Sequence, residues 1–158
     1  PVSEELIFRG AGLRTFEKYG KIFAILMSSL LFGLFHGNLP QFVFATFVGM
    51  IFSYVTLEYS IFWAMIFHIF NNLVIGEGLT YLYSFLPDDV GGALHLFILL
   101  IGASIAVIFL FKNKTDIKRY VRRNRAYPGT YRQAFRSVWF WLFVFFMCLT
   151  SLTLIRHL

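Results

Sequence analysis

The sequence is poor in charged residues and in cysteine. Only 14% of its 158 residues are Asp, Glu, Lys or Arg, against about 25% in soluble domains. The single cysteine, Cys148, excludes a disulfide within the chain. The low charge, together with the many apolar residues, also excludes intrinsic disorder, a coiled coil and a collagen-like repeat.

The sequence is correspondingly rich in apolar residues. They make up 58% of the chain, 21 positions are Phe, and the mean hydropathy is +0.70. Because about 20 mostly apolar residues carry a helix across a bilayer, we predict an all-α, polytopic transmembrane helical bundle. The candidate spans are Ile22–Phe35, Phe42–Leu57, Ile61–Ile75, Ala93–Phe111 and Val138–Ile155, with a short interfacial piece at Thr80–Leu86.

The start of the chain suggests its organisation. It begins at Pro1 without a methionine or a signal peptide, so we expect an N-terminally truncated fragment with further helices upstream. The polar motifs described below fall within residues 1–76, which we predict to be one domain. Residues 77–158 are predicted to add further transmembrane helices around a basic loop at residues 112–136.

The distribution of basic residues predicts the topology. Nine lie between Lys112 and Arg136, where the only acid is Asp116, and four more lie around the first turn, at Arg9, Arg14, Lys18 and Lys21. Short basic loops stay in the cytoplasm. Four predicted crossings, an even number, separate the first turn from residues 112–136, so both basic segments lie on the cytoplasmic side. Residues 77–91, which carry acids and no base, are then an external loop. We expect the run at 112–136 to meet anionic lipid headgroups and not nucleic acid, since apolar spans flank it.

Ionisable residues in an apolar chain of this kind mark candidate sites. The first group is Glu4, Glu5 and Arg9. Glu5 and Arg9 stand four residues apart in the favourable order for a helical ion pair. Glu4 lies about 100° around the helix, which leaves it available as a general base. An ordinary surface ion pair is the alternative interpretation of this group.

Two further groups contain histidine. His36 ends an apolar span after Phe32, and His68 shares a helical face with Asn72, four residues later. A packing histidine and an amide that joins helices are the alternative interpretations. If the chain reverses near Gly20, Glu4 and His36 lie level, each about 24 Å from the turn. His68 lies only about 13 Å from the turn that precedes its helix, at Tyr59–Ser60, and is therefore about 10 Å out of level with Glu4. The two residues come level if residues 11–20 project from the membrane.

Together, Glu4-Glu5-x-x-x-Arg9, Phe32-x-x-x-His36 and His68-x-x-x-Asn72 resemble the three motifs of the CPBP family. This family comprises type II CAAX-prenyl endopeptidases and bacteriocin-processing, or Abi, membrane proteins. The resemblance extends from Pro1 to about Ile75. It implies an intramembrane endopeptidase that is open to the cytoplasmic face, in a bacterial cell membrane, with a lipidated protein or a leader peptide as substrate. Bacteriocin maturation or self-immunity is the expected context.

The resemblance also implies roles for individual residues. Glu4, helped by His36, activates the attacking water, while His68 and Asn72 stabilise the oxyanion. Arg9 and Glu5 hold the first helix in place, and Phe32 packs near the site. Asn71 leaves open which amide faces the site. One zinc ion held by Glu4, His36 and His68 is an alternative, but the absence of an HExxH pair favours metal-free chemistry.

A different class of function also fits these residues. A non-catalytic membrane scaffold that regulates another membrane protein, such as a sensor kinase, would use the basic run at 112–136 as its docking surface. Such a scaffold would tolerate Glu4→Gln and lose function when the basic run is neutralised. Neither the substrate, the number of upstream helices nor the oligomeric state follows from the sequence.

Overall fold

A computed structural model describes residues 1–155 of the protein, with side chains described to residue 150. These residues form helices joined by short turns and contain no strand, which confirms the all-α fold class. The helices are α1 (Val2–Glu5, Leu6–Leu13 and Arg14–Glu17), α2 (Lys21–Phe35), α3 (Leu39–Glu58), α4 (Ile61–Phe70, Asn71–Gly78 and Leu79–Tyr83), α5 (Asp88–Lys112), α6 (Lys114–Arg123), α7 (Thr130–Arg136) and α8 (Val138–Ile155).

Three helices are long and apolar enough to cross a membrane: α3, α4 and α5. Helices α7 and α8, bent by 58° between them, make a fourth if they are counted as one span. Helix α2 has only 15 residues and is about 22 Å long, which is short of a full crossing. The five predicted spans are therefore all helices, but the first of them does not reach the length of a bilayer.

The predicted external loop at residues 77–91 is wrong in its extent, because α4 continues into it. This helix continues to Tyr83, past Gly76 and Gly78, so that only residues 84–87 separate it from α5. The predicted span ended at Ile75. Gly76 and Gly78 lie in a π-helical stretch, Asn71–Gly78, that is continuous with α-helix on both sides. Leu6–Leu13 in α1 is a second π-helical stretch, and such segments are frequent at functional sites.

The helices fall into two compact units. The first consists of Pro1–Phe67 together with the described residues from Asn124 onwards. The second consists of His68–Arg123. Glu4, Glu5, Arg9 and His36 thus belong to the first unit, and His68 and Asn72 belong to the second.

Helices α1 and α2 form an antiparallel pair in the first unit, as the sequence predicted. The Phe8 ring lies 5.3 Å from Phe32 and 5.6 Å from Phe35, and Phe16 lies 5.9 Å from Phe23 nearer the turn. The Ser28 hydroxyl donates to the Phe8 carbonyl across the pair at 2.7 Å. This register agrees with a chain reversal at Gly20.

Residues 112–136, predicted as a loop, are largely helical, because α6 and α7 occupy most of the segment. Between them, Asn124–Tyr131 packs on the first turn. The Asn124 carbonyl accepts from the Ile22 N–H at 3.0 Å, and the Tyr127 N–H donates to the Tyr19 carbonyl at 3.2 Å. The ring of Tyr131 lies 5.3 Å from Phe23. The first turn and Asn124–Tyr131 therefore share one end of the unit.

Helices α2 and α3 approach each other closely through small residues. A Cβ at Gly33 would collide with the Thr46 side chain and would lie 2.8 Å from the Phe42 carbonyl oxygen. A Cβ at Gly49 would lie 3.2 Å from Ser29 Cβ. The Ser29 and Ser53 hydroxyls are 3.3 Å apart across the same interface. Small residues let membrane helices pack backbone to backbone.

We expect Gly33→Ala to lower the free energy of unfolding by about 1–3 kcal/mol, because the added methyl group overpacks this contact. Thermal unfolding of the purified protein in detergent measures the change. Gly102→Ala is the matched control, since a Cβ there meets nothing within 4 Å. If both variants melt at the wild-type temperature, the close contact between α2 and α3 is refuted.

Candidate active site

The ion pair that the sequence predicted in α1 is present and fully buried. Arg9 Nη1 lies 3.2 Å from Glu5 Oε1, and both side chains have 0% of their surface exposed. Arg9 Nη2 also donates to the Gly49 carbonyl of α3 at 3.3 Å. The pair is thus part of a helix-packing core, which excludes the alternative of an ordinary surface ion pair.

Arg9 also contacts two aromatic rings. Its guanidinium carbon lies 4.1 Å from the centre of the Phe32 ring in α2 and 5.7 Å from that of Phe52 in α3. A buried cation gains attraction from such ring faces. Arg9 therefore joins three helices at one point and fixes the rotation of α1, which carries Glu4.

His36 is linked to the same cluster through Phe32. The two rings are 4.8 Å apart and nearly perpendicular, at 81°. His36 Nδ1 lies 2.8 Å from the Phe32 carbonyl oxygen. Because a carbonyl can only accept, this contact assigns the proton to Nδ1 and leaves the Nε2 lone pair for a water, a substrate proton or a metal ion.

Glu4 and His36 are both half-buried, whereas Glu5 and Arg9 are buried. This difference in exposure separates two kinds of role. A group that activates water must be reached by water, so Glu4 and His36 remain the candidates for chemistry. Glu5 and Arg9 are suited to positioning.

The third motif lies on α4. His68 is buried, with 3% of its surface exposed, Asn71 is half-buried and Asn72 is exposed. The Asn71 side-chain amide donates to the Asn72 amide oxygen at 3.3 Å. Asn72 uses its amide oxygen, and not its NH₂ group, in this contact.

The start of α4 is fixed against α1 within the first unit. A Cβ at Gly10 would lie 3.6 Å from the Ile61 side chain, and the two helices run antiparallel. Glu4 lies six residues from Gly10, and Phe67 lies six residues from Ile61, which is about 9 Å along either helix. Glu4 and Phe67 are thus at about the same height.

A groove of about 440 Å³ runs along the hairpin of α3 and α4 in the first unit. Its lining residues are Val55, Tyr59, Trp63 and Phe67. Apolar and aromatic side chains dominate this lining, which suits a hydrocarbon chain. The groove ends at Phe67, the residue before His68. Sequence reasoning did not identify it, because its residues resemble any other part of an apolar span.

Metal ligands are not clustered within either unit. Among the described residues of each, no three His, Cys, Asp or Glu side chains come together around a possible metal position. The alternative zinc ligands Glu4, His36 and His68 draw on both units. The chemistry of His36 nevertheless fits a ligand, since its Nε2 is the free nitrogen.

Comparison with known proteins supports the motif assignment. The family model described as type II CAAX prenyl endopeptidase Rce1-like matches residues 1–74. This segment contains Glu4, Glu5, Arg9, His36, His68 and Asn72, and the match confirms the resemblance predicted from the motifs. Together with the apolar helices α3, α4 and α5, the match indicates an integral membrane protein. The matched family is one of CAAX-type endopeptidases. No curated protein and no solved structure matches the chain.

Proposed function

We propose that this protein, whose residues 1–74 match the Rce1-like model of type II CAAX prenyl endopeptidases, hydrolyses a peptide bond within the membrane by means of an activated water. The observation that carries the proposal is the buried cluster of Glu5, Arg9 and Phe32. It holds α1 against α2, so that the half-buried Glu4 and His36 lie at the same end of the pair.

The reaction follows from the chemistry of these groups. The Glu4 carboxylate takes a proton from water while His36 Nε2 orients that water by accepting its second hydrogen. The hydroxide adds to the scissile carbonyl carbon and forms a tetrahedral oxyanion, to which His68 and Asn72 donate hydrogen bonds. Collapse of this intermediate breaks the C–N bond, and Glu4 returns the proton to the departing amine.

The groove favours a lipidated substrate over an unmodified leader peptide. Val55, Tyr59, Trp63 and Phe67 offer an apolar surface that ends beside the residue preceding His68. A lipid chain in this groove would place the attached peptide near the proposed oxyanion donors. The role in bacteriocin maturation or self-immunity remains a prediction of the resemblance alone.

The experiment that tests the proposed function is a cleavage assay with the full chain in liposomes. Lipidated C-terminal peptides and unmodified leader peptides are supplied together, and products are identified by mass spectrometry. The proposal expects cleavage of the lipidated class, with loss of activity in His36→Ala and His68→Ala and unchanged membrane insertion. Full activity in both variants would refute the assignment of the site.

Cleavage is also expected to continue after the protein is treated with a zinc chelator and dialysed, because the proposed mechanism uses only side chains. Elemental analysis of the active protein provides the second readout. A loss of activity that is restored by one equivalent of zinc would show instead that Glu4, His36 and His68 hold a metal ion that activates the water.

A further inference from the structure

Helix α6 begins where α5 ends, the helix of highest mean hydropathy among the three candidate spans of the described residues. Only Asn113 separates Lys112, the end of α5, from Lys114. Asn113 terminates α5 by donating from its backbone and its side chain to the Phe109 carbonyl, at 3.0 and 2.8 Å. Its own carbonyl accepts from the Ile117 N–H at 2.9 Å and starts α6. A helix that starts one residue after a membrane span starts at the membrane surface.

The composition of α6 prevents it from entering the hydrocarbon. Its ten residues include five bases and one acid, Asp116, and so carry a net charge of +4. Asp116 pairs with Arg119 at 3.2 Å, and both side chains are largely exposed. Each buried Lys or Arg at the centre of a bilayer costs several kcal/mol.

Helix α6 also has an apolar face, whose exposure to water is unfavourable. Ile117 and Val121 stand four residues apart on one side, with 37% and 43% of their surfaces exposed. Tyr120 lies beside them at helical spacing, whereas Thr115, Arg119 and Arg122 lie on the opposite side. A helix with a strongly basic face and an exposed apolar face is typical of one that lies in the plane of a membrane surface.

We propose that α6 is an in-plane anchor that binds the anionic headgroups of the bilayer, with Ile117 and Val121 in the boundary between headgroups and acyl chains. Two features favour lipid over nucleic acid or an acidic protein. First, an apolar face would not contribute to binding phosphate groups in water. Second, the direct connection to α5 keeps the helix at the membrane. Each Lys or Arg near an anionic surface contributes about 1 kcal/mol, which is about a fivefold change in partitioning.

The test places one fluorophore on either face of α6 in the full chain. In a Cys148→Ser background, an environment-sensitive label is attached at Val121→Cys or, as the matched control, at Thr115→Cys. The protein is reconstituted in vesicles of phosphatidylcholine alone or with 30% phosphatidylglycerol. We expect the label at position 121 to become at least about fivefold less accessible to an aqueous quencher in the anionic vesicles. The label at position 115 should stay accessible in both.

Charge variants distinguish binding to an anionic lipid surface from binding at a site with a specific geometry. Exchanging Lys118, Arg122 and Arg123 for Gln should abolish the effect of the anionic lipid, and high salt should weaken it. Exchanging Arg122 and Arg123 for Lys should preserve the effect of the anionic lipid, because a headgroup surface attracts positive charge and does not require the geometry of a guanidinium group. The proposal is overturned if position 121 is equally accessible in both vesicles. It is also overturned if added RNA or polyglutamate protects the label and anionic lipid does not.

Discussion

Glu4→Gln is expected to lower the rate of peptide-bond cleavage by about 10²–10⁴-fold, the usual contribution of a general base. The amide keeps the shape of the side chain but cannot take a proton from water. Because Glu4 is half-buried and the Glu5–Arg9 ion pair is kept in this variant, folding and membrane insertion should be retained. Initial rates in liposomes, together with the thermal unfolding temperature in detergent, provide the measurement.

Glu77→Gln is the matched control for this variant. Glu77 is also a glutamate on a helix, but it is exposed and lies outside the three motifs. It should retain the wild-type rate. If Glu4→Gln is as active as Glu77→Gln while neutralising the bases of residues 112–136 abolishes function, the scaffold alternative is favoured over the peptidase.

Arg9→Met is expected to lower the free energy of unfolding by about 3–5 kcal/mol, since it removes the counter-charge of a fully buried carboxylate. It also removes the donor to the Gly49 carbonyl and the cation that faces Phe32. Cleavage should fall as well, because α1 loses the contacts that set the direction of Glu4. Chemical or thermal unfolding in detergent measures the loss of stability.

The control is Arg14→Met on the same helix. Arg14 pairs with Glu17 at 3.0 Å, but half of its side chain is exposed, and such pairs contribute at most about 1 kcal/mol. A second variant, Glu5→Leu combined with Arg9→Met, should be more stable than Arg9→Met alone because no unbalanced charge remains. Equal stability of Arg9→Met and Arg14→Met would contradict the central position given to Arg9.

The sequence predicted those parts of the site that depend on local spacing. The Glu5–Arg9 pair followed from an interval of four residues, and the level of Glu4 with His36 followed from a reversal at Gly20. The contacts of Arg9 with Gly49 and Phe52 could not be predicted, because they depend on how α3 packs against α1. A pattern of small residues, Ala45, Gly49 and Ser53, is the only local signal of that interface.

The errors of sequence reasoning have similar physical causes. The acids of residues 77–91 suggested a loop after Ile75, yet the helix continues through Gly76 and Gly78 to Tyr83. The bases of residues 112–136 suggested a loop, but Ile117 and Val121 have the helical spacing that makes α6 amphipathic. In both cases the prediction gave charge more weight than the tendency of the chain to form helix.

The central claim is that Glu4, which activates the water, and His68, which stabilises the oxyanion, act on one scissile peptide bond, and a short bis-thiol cross-linker tests it directly. In a Cys148→Ser background, the pair Glu4→Cys and His68→Cys should be cross-linked within one chain, as mass spectrometry of the linked peptides would show. The pair Glu4→Cys and Ile69→Cys, in which the second thiol points about 100° away around α4, should link poorly. Equal linking of both pairs, or none at position 68, would contradict the account.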